Sequence, residues 1–397
     1  MTASDSKSRI PLNHARRLRV IYFGTYRDEY SRNRIMIECL RQAGVEVIEC
    51  HTPFWVSIED RVETAKGKWF SLSFLRRMVL AYANLVSQYL RADDHEVVVL
   101  GYPGQLDVFL GRILTWIRRK PLVLDVFMSI YLIALERGLD KANKFNIQLL
   151  KALESVALRL PDRLIQDTGS YVEWLTKTYH LNYKRFRLVP TGADDRIFQP
   201  KPVRPPDDFF RVIYYGTFIP NHRVAYIIDA ARLLRDRPEF IFELIGSGPD
   251  FSEAAGLIEK YQLQDRVKLI GWLSQSELIE RIAQADACLG AFGFTPQSLM
   301  TVQNKIYEGM AMERVVVTGD SPVINMNFEN GIHLITCDRA RPETLSEALI
   351  GLKENPERAK QIAHQGLLKF RESFSIQQLG VQFSRHLCDI VDERVSH

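Results

Sequence analysis

Short apolar, β-rich runs alternate with helical patterns twice along this chain, and the alternation breaks once, at QPKPVRPPDD (199–208). The first series contains RLRVIYFGTY (17–26), VEVIECH (45–51), HEVVVLGYPG (95–104), KPLVLDVFMS (120–129), RLIQDTG (163–169) and FRLVPTGAD (186–194). The second runs from FRVIYYGTF (210–218) through FIFELIGSG (240–248), VKLIGWL, ACLGAF and RVVVTGD. Near-continuous apolar strands separated by helices demand parallel sheets covered on both faces. The four prolines at the break hold the chain extended and make it a linker. The expected fold class is therefore α/β, with two Rossmann-like, doubly wound domains at 1–200 and 209–375 joined by the linker 199–208. Ligands of such sheets bind beyond the carboxyl ends of the strands, so the cleft between facing domains is the expected site.

Hydrophobic residues at 46% and charged residues at 25% exclude a disordered or fibrous chain. An apolar run of about 18 residues is absent, and the first twenty residues lack the apolar centre of a secretory signal. The expectation is a protein that folds where it is made, in the cytoplasm. Cys39, Cys50, Cys288, Cys337 and Cys388 are far apart, with no Cys-x-x-Cys and no Cys/His cluster at zinc spacing. Buried free thiols are expected, and no metal.

Charge is divided unevenly. Residues 1–205 carry a net +10 and the remainder a net −6. Such asymmetry points one half at an anionic partner. The cations of the first half alternate with apolar residues in KGKWFSLSFLRRMVLAYANLVSQYL (66–90) and GRILTWIRRK (111–120), which fits no nucleic-acid module. Within the first segment Leu72, Leu75, Val79, Ala83, Val86 and Leu90 recur at helical spacing, with Trp69, Phe70, Arg76 and Arg77 near its start. Two readings stand side by side. The segment lies in the interface of an anionic membrane, as a peripheral contact at its inner face, or its apolar stripe packs on a sheet and its cations are solvated.

Gly24, Gly216, Gly246 and Gly248 each close a strand, where a missing side chain lets a phosphate or sugar approach backbone N–H groups, or simply permits a turn. GSGPD (246–250) is not the full dinucleotide fingerprint, because Phe251 stands where its third glycine would be. NKIYEGMAMERVVVTGD (304–320) is more specific: a loop enters a short helix bearing Lys305 and Glu308. The helix start could hold a diphosphate and Glu308 the ribose hydroxyls, or the two side chains form a surface ion pair.

The ordered segments from about 186 to 395 are similar to the family 4 (group 1) glycosyltransferases, retaining enzymes of GT-B architecture. VPTGADDRIFQP (189–200) resembles the family's P-x-G-x-D…F-x-P signature, and GTFIPNHRVAYIIDAARLL the opening of its donor domain. LIGSGPD, VKLIGWLSQSELIERIAQADACLGAF, NKIYEGMAMERVVVTGD and TLSEALIGLKENPERAKQIAHQG resemble the units that follow. The resemblance implies that a final helix, about 376–397, crosses back onto the first domain. It also implies that a nucleotide-sugar binds the second domain and an acceptor the first. The implied donor-binding residues are Gly24, Gly216, His222, Arg223, Gly246, Gly248, Thr301, Gln303, Asn304, Lys305 and Glu308. Departures are visible. Met300 stands where members carry a Glu eight residues before the one matching Glu308, and Thr217 and His222 where they carry Arg or Lys, leaving Arg223 and Lys305 as cations. Asp125 substitutes for a histidine that contacts the sugar, as the expected catalytic group. The loop FGFTPQSLMTVQ (292–303) is expected to shape the sugar pocket.

The implied activity is transfer of a sugar, with retention, to a glycan, lipid-linked or small-molecule acceptor in polysaccharide or glycolipid assembly. No cofactor is called for: the need is to stabilise a departing diphosphate with cations and helix-start N–H groups. Two alternatives rest on the departures, a degenerate GT-B protein that binds a partner or sugar nucleotide without catalysis, and a GT-B sugar-nucleotide epimerase.

Overall fold

The computed structural model describes residues 18–28, 30–54, 72–139, 144–202, 204–205 and 207–395. Trp69 and Phe70 lie outside the described residues. The first sheet contains β1 (Arg19–Gly24), β2 (Glu46–His51), β3 (Val97–Leu100), β4 (Leu122–Asp125), β5 (Arg163–Gln166) and β6 (Phe186–Leu188), all parallel, in the order β2-β1-β3-β4-β5-β6. The second contains β7 (Phe210–Tyr215), β8 (Phe240–Ile245), β9 (Val267–Ile270), β10 (Ala287–Leu289), β11 (Val315–Gly319) and β12 (Ile335–Cys337), also parallel, in the order β12-β11-β10-β7-β8-β9. The strand order reverses once in each sheet, between β1 and β3 and between β7 and β10. At those places the connections leave in opposite directions and open a crevice at the carboxyl edge.

Helices cover both faces. The first domain carries α1 (Ser31–Gln42), α2 (Leu72–Arg91), α3 (Asp107–Arg118), α4 (Ile130–Glu136), α5 (Lys144–Ala157) and α6 (Gly169–Tyr179). The second carries α7 (Val224–Leu233), α8 (Phe251–Lys260), α9 (Gln275–Gln284), α10 (Pro296–Met300), α11 (Asn304–Ala311), α12 (Pro322–Asn327), α13 (Pro342–Glu354) and α14 (Pro356–Ser373), and α15 (Ile376–Val395) follows. Local chemistry sets several starts: Thr168 and Ser129 accept N–H bonds at the heads of α6 and α4, and Ser274 with Glu277 forms a reciprocal capping box on α9. The stretch 292–303 is not all loop, because Thr295 caps α10 and Pro296 opens it. Cys39, Cys50, Cys288 and Cys337 are buried free thiols, while Cys388 is free and half-buried.

α15 packs on the first domain. Ile376, Leu379, Phe383, Leu387 and Ile390 form its buried stripe against Ile35, Met36, Cys39 and Leu40 of α1. The two backbones touch at Gly380, where a Cβ would lie 2.1 Å from the Cys39 carbonyl oxygen. A side chain there must push the helices apart. In α2, by contrast, Phe74, Ala81, Leu85 and Tyr89 are buried, while Leu75, Val79 and Leu90 of the periodic stripe stay exposed. That part of the stripe is not core.

Gly380→Ala is expected to destabilise the protein by about 1–3 kcal/mol through this overpacking. Gly256→Ala, on an exposed turn of α8 with no atom near the new methyl, is expected to stabilise by roughly 0.4–1 kcal/mol. Urea midpoints of the two variants check the opposite signs.

Candidate functional site

Gly216 ends β7 at the second sheet's crevice with φ 140°, and a Cβ there would lie 3.0 Å from Lys305 Nζ. Lys305 comes from the first turn of α11 and is only 6% exposed. Its ammonium sits 4.4 Å from the centroid of the Tyr214 ring and has no hydrogen-bond partner among the described residues. Burial pulls its pKa down to about 7. Glu308, one turn further along, is half-buried and hydrogen-bonded to the Tyr215 side chain. Burial pushes its carboxyl up to about 7, against the opposing pull of Tyr215, Lys305 and Arg34. The surface ion pair is thus excluded, since the ammonium is enclosed. The head of α11 has no side-chain cap; the Gln303 amide donates instead to the Thr301 carbonyl at 3.1 Å, and its Oε1 is buried without a partner.

The other expected donor-site residues divide. His222 Nδ1 lies 2.7 Å from the Thr217 carbonyl oxygen and 2.9 Å from the Tyr214 hydroxyl. A carbonyl can only accept, so Nδ1 carries the proton. Burial, and then the charge of Lys305, hold the ring pKa well below its ordinary value. His222 is therefore neutral and supplies no cation. Arg223 donates to the Arg339 carbonyl at 2.6 Å, and its guanidinium sits 5.6 and 5.4 Å from the rings of Tyr226 and Phe294. It borders a cavity of about 710 Å³ lined also by Pro220, Val224, Asp250 and Phe294, and neither Lys305 nor Glu308 lines that cavity.

Three glycines are filled places. A Cβ on Gly246 would lie 2.1 Å from the Gly216 carbonyl oxygen and one on Gly248 2.5 Å from that of Phe218, so they let one loop lie on the next. Gly24 faces Asp107, whose carboxylate already accepts the Thr25 N–H at 2.6 Å. Thr301 is buried, and its hydroxyl donates back to the Gln297 carbonyl at 2.8 Å.

Asp125 does not offer an oxygen to the cleft. Arg32 Nε and Nη2 hold its two oxygens at 2.8 and 2.9 Å, and both side chains are buried. Its place is to position Arg32, which also donates to the Val189 carbonyl at 2.8 Å. The carboxyl that does stand at the seam is Asp167, just past β5: it is buried, and its Oδ1 has no partner. Burial raises it to about 7, offset by Arg32 and reinforced by Asp125. Beside it, the Thr168 hydroxyl donates to the Met300 carbonyl at 2.5 Å, and the Met300 side chain packs against the first-domain core. The Asn304 amide donates to the Ser31 hydroxyl. Glu136 accepts from Asn221 at 3.0 Å and from the Gln297 N–H at 2.8 Å. Asp167, Thr168, Ser31, Arg34 and Glu136 escaped the sequence reading. For Asp167 and Thr168 the one signal is position, just past the carboxyl end of β5; Ser31, Arg34 and Glu136 lie on helices and carry none.

Residues 195–368 match the family model described as glycosyl transferases group 1. The chain is 27% identical over 179 residues to the alpha-D-kanosaminyltransferase of Streptomyces kanamyceticus, covering 45% of each chain. It is 30% identical over 92 residues to the phosphatidylinositol N-acetylglucosaminyltransferase gpi3 subunit of Schizosaccharomyces pombe, covering 23% of this chain and 20% of that one. These matches span less than half the length of the relatives. Among solved structures, Anabaena HepE in complex with UDP-glucose superposes with a TM-score of 0.65 at 15% identity, covering 94% of this chain and 99% of that one. The sucrose-phosphate synthase of Thermosynechococcus elongatus gives 0.70 at 15%, covering 95% and 100%. The fold is GT-B, and the sequence matches support a group 1 glycosyltransferase.

Lys305→Met is expected to stabilise the ligand-free protein by roughly 1–3 kcal/mol, because it removes an unpartnered buried charge. The sign depends on pH. Between pH 7 and Lys305's ordinary value of 10.5 the unfolded chain binds a proton that the folded one lacks, so native stability rises across that window. The gain from Lys305→Met is therefore largest below about pH 7 and shrinks towards pH 10, as urea midpoints across this range will read.

Proposed function

We propose that this protein transfers a sugar, with retention, from a nucleotide-sugar donor held by its second domain to an acceptor held by its first. The observation that carries the reading is the enclosed, unpartnered ammonium of Lys305 beneath Gly216, at the crevice where the strand order reverses. An isolated buried cation is costly, and a diphosphate bound there would satisfy it. The uncapped N–H groups at the head of α11 would share that charge. Glu308, one turn deeper, would accept the ribose hydroxyls. HepE, seen with UDP and with UDP-glucose, offers uridine diphosphate as the first nucleotide to test.

In the reaction, the bond between the anomeric carbon and the diphosphate oxygen breaks while the acceptor oxygen bonds to the same face of that carbon. The acceptor's proton passes to the departing diphosphate. Lys305 and the α11 head stabilise that leaving group, while the contacts of Thr168, Ser31 and Glu136 across the seam exclude water. Arg32 and Asp125 position α1 and do not touch substrate. The kanosaminyltransferase, the gpi3 subunit and the putative colanic acid biosynthesis glycosyltransferase WcaL of Escherichia coli K12 favour turnover in glycan or glycolipid assembly over a binding-only protein or an epimerase. Unpaired cysteines fit a reducing compartment such as the cytoplasm.

Binding of UDP, read by calorimetry, is expected to peak near neutral pH. Above about pH 7 Lys305 loses the proton that pairs with the diphosphate, and below it Glu308 takes up a proton and stops accepting from the ribose. Lys305→Met should abolish the alkaline limb and weaken binding at least tenfold, about the loss of one charge-assisted hydrogen bond. Glu308→Gln should abolish the acid limb. A flat profile in the native protein would sink this assignment. For the chemistry, NMR of the product is expected to show the donor's anomeric configuration kept; inversion would refute retention.

A further inference from the structure

α2 has two apolar faces, and only one is used. Leu85 and Tyr89 hold the helix to the sheet, while Leu75, Val79 and Leu90 on other turns are 49%, 58% and 59% exposed. At the end of α3, Ile113, Trp116 and Ile117 repeat the pattern at i, i+3 and i+4, with Trp116 76% exposed and Ile117 73%. The two rows meet. Arg118 of α3 donates to the Leu90 and Ala92 carbonyls at 3.0 and 3.2 Å and sits 4.9 Å from the Tyr89 ring, which seats one helix end against the other. Exposed apolar rows of this kind on two abutting helices mark an interaction site.

The exposed charges around it are mainly cationic. α2 contains no Asp or Glu, and α3 contains only Asp107, buried at its start. Arg76, Arg91 and Arg119 are exposed on or beside the rows. Asp93 and Asp94 follow α2, and Asp94 is paired with Lys120 at 2.8 Å. Arg77 and Arg118 are spoken for by backbone carbonyls. We propose that this face of α2 and α3 seats the first domain on an anionic lipid surface, its apolar rows entering the headgroup boundary and its arginines meeting lipid phosphates. The pattern of aliphatic and Trp side chains with exposed arginines on or beside them, and one unpaired carboxylate at the end of α2, is complementary to that layered surface. A second copy of the chain fits worse, because each face brings three exposed arginines, Arg76, Arg91 and Arg119, against one carboxylate unpaired among the described residues, Asp93. No helix among the described residues is long and apolar enough to cross a membrane, so the seat is interfacial.

The test is flotation of the full chain with vesicles of phosphatidylcholine alone and with added phosphatidylglycerol. Binding to the anionic vesicles, weakened by salt, is expected. Arg76→Gln and Arg119→Gln should each lower partitioning about fivefold, the worth of one cation near such a surface. A Val79→Ser, Trp116→Ser, Ile117→Ser triple variant should lose binding while keeping its melting temperature, since these side chains are exposed. Lipids brominated on the acyl chain should quench the native protein's fluorescence more than that of Trp116→Ser, a readout that survives any variant that folds poorly. UDP binding should be unchanged in all variants, which separates a failure here from a failure of the donor site. No vesicle binding, binding indifferent to every substitution, or equal quenching with and without Trp116 would each overturn the proposal. So would a concentration-dependent dimer that the triple variant breaks in the absence of lipid.

Discussion

The cleft edge of the first domain rests on one ion pair, Arg32 with Asp125. Each partner is sealed from water, the guanidinium holds both carboxylate oxygens, and its remaining nitrogen holds the Val189 carbonyl. Three pieces of chain are tied there: α1, the end of β4 and the strand leading to the linker. Removing either partner would strand the other as an uncompensated charge, at a cost of about 3–5 kcal/mol. Because α1 is held at this point, Ser31 reaches Asn304 of the second domain and the charge of Arg34 is felt at Glu308. The same helix gives α15 its packing surface, so the chain's last element closes on its first domain.

Lys305 is the counterpart on the other side of the cleft, with the opposite economy. Its charge is enclosed but left without a hydrogen-bond partner among the described residues, beneath Gly216, where a Cβ would lie 3.0 Å from Nζ. Asp167 Oδ1, Thr191 Oγ1 and Gln303 Oε1 are also buried and unsatisfied, and all lie on loops that follow carboxyl ends of strands or join α10 to α11. In a packed core such atoms are simply destabilising. Beyond the carboxyl edges of parallel sheets, such groups are what the proposed donor and acceptor would satisfy.

Much of the fold was legible in the chain. Apolar runs of three to six residues between helical stretches required parallel strands, and the proline run at 199–208 marked the division between the two sheets. Of the candidate site, the sequence placed Lys305 and Glu308 one turn apart at a helix start, but the i, i+3 spacing left a surface ion pair open, and only the structure shows that the Lys305 ammonium is enclosed. The glycines were only half legible. Gly24 ends a strand and Gly216, Gly246 and Gly248 follow one, but whether the space beside each is empty or filled depends on a partner remote in the chain: Asp107 for Gly24, Phe218 for Gly248. Asp125 misled for the same reason. A carboxylate at a strand end looks available until a guanidinium 93 residues away occupies it. The stripe on α2 was ambiguous as well, since periodicity reports that a face is apolar and not what covers it.

By itself the sequence determined the period of each element and the places where the backbone turns, which depend on near neighbours and on the covalent limits of proline and glycine. Those suffice for two doubly wound domains and for a charged helix start in the second one. Tertiary structure alone decided which charges are spent on one another and which remain. Arg32 and Asp125 were joined across the first sheet, and Asp167 and Lys305 were left unsatisfied at the seam. The reason is that desolvation and pairing act through space: a side chain's energy depends on what surrounds it once the sheets have closed, and local sequence carries no record of that.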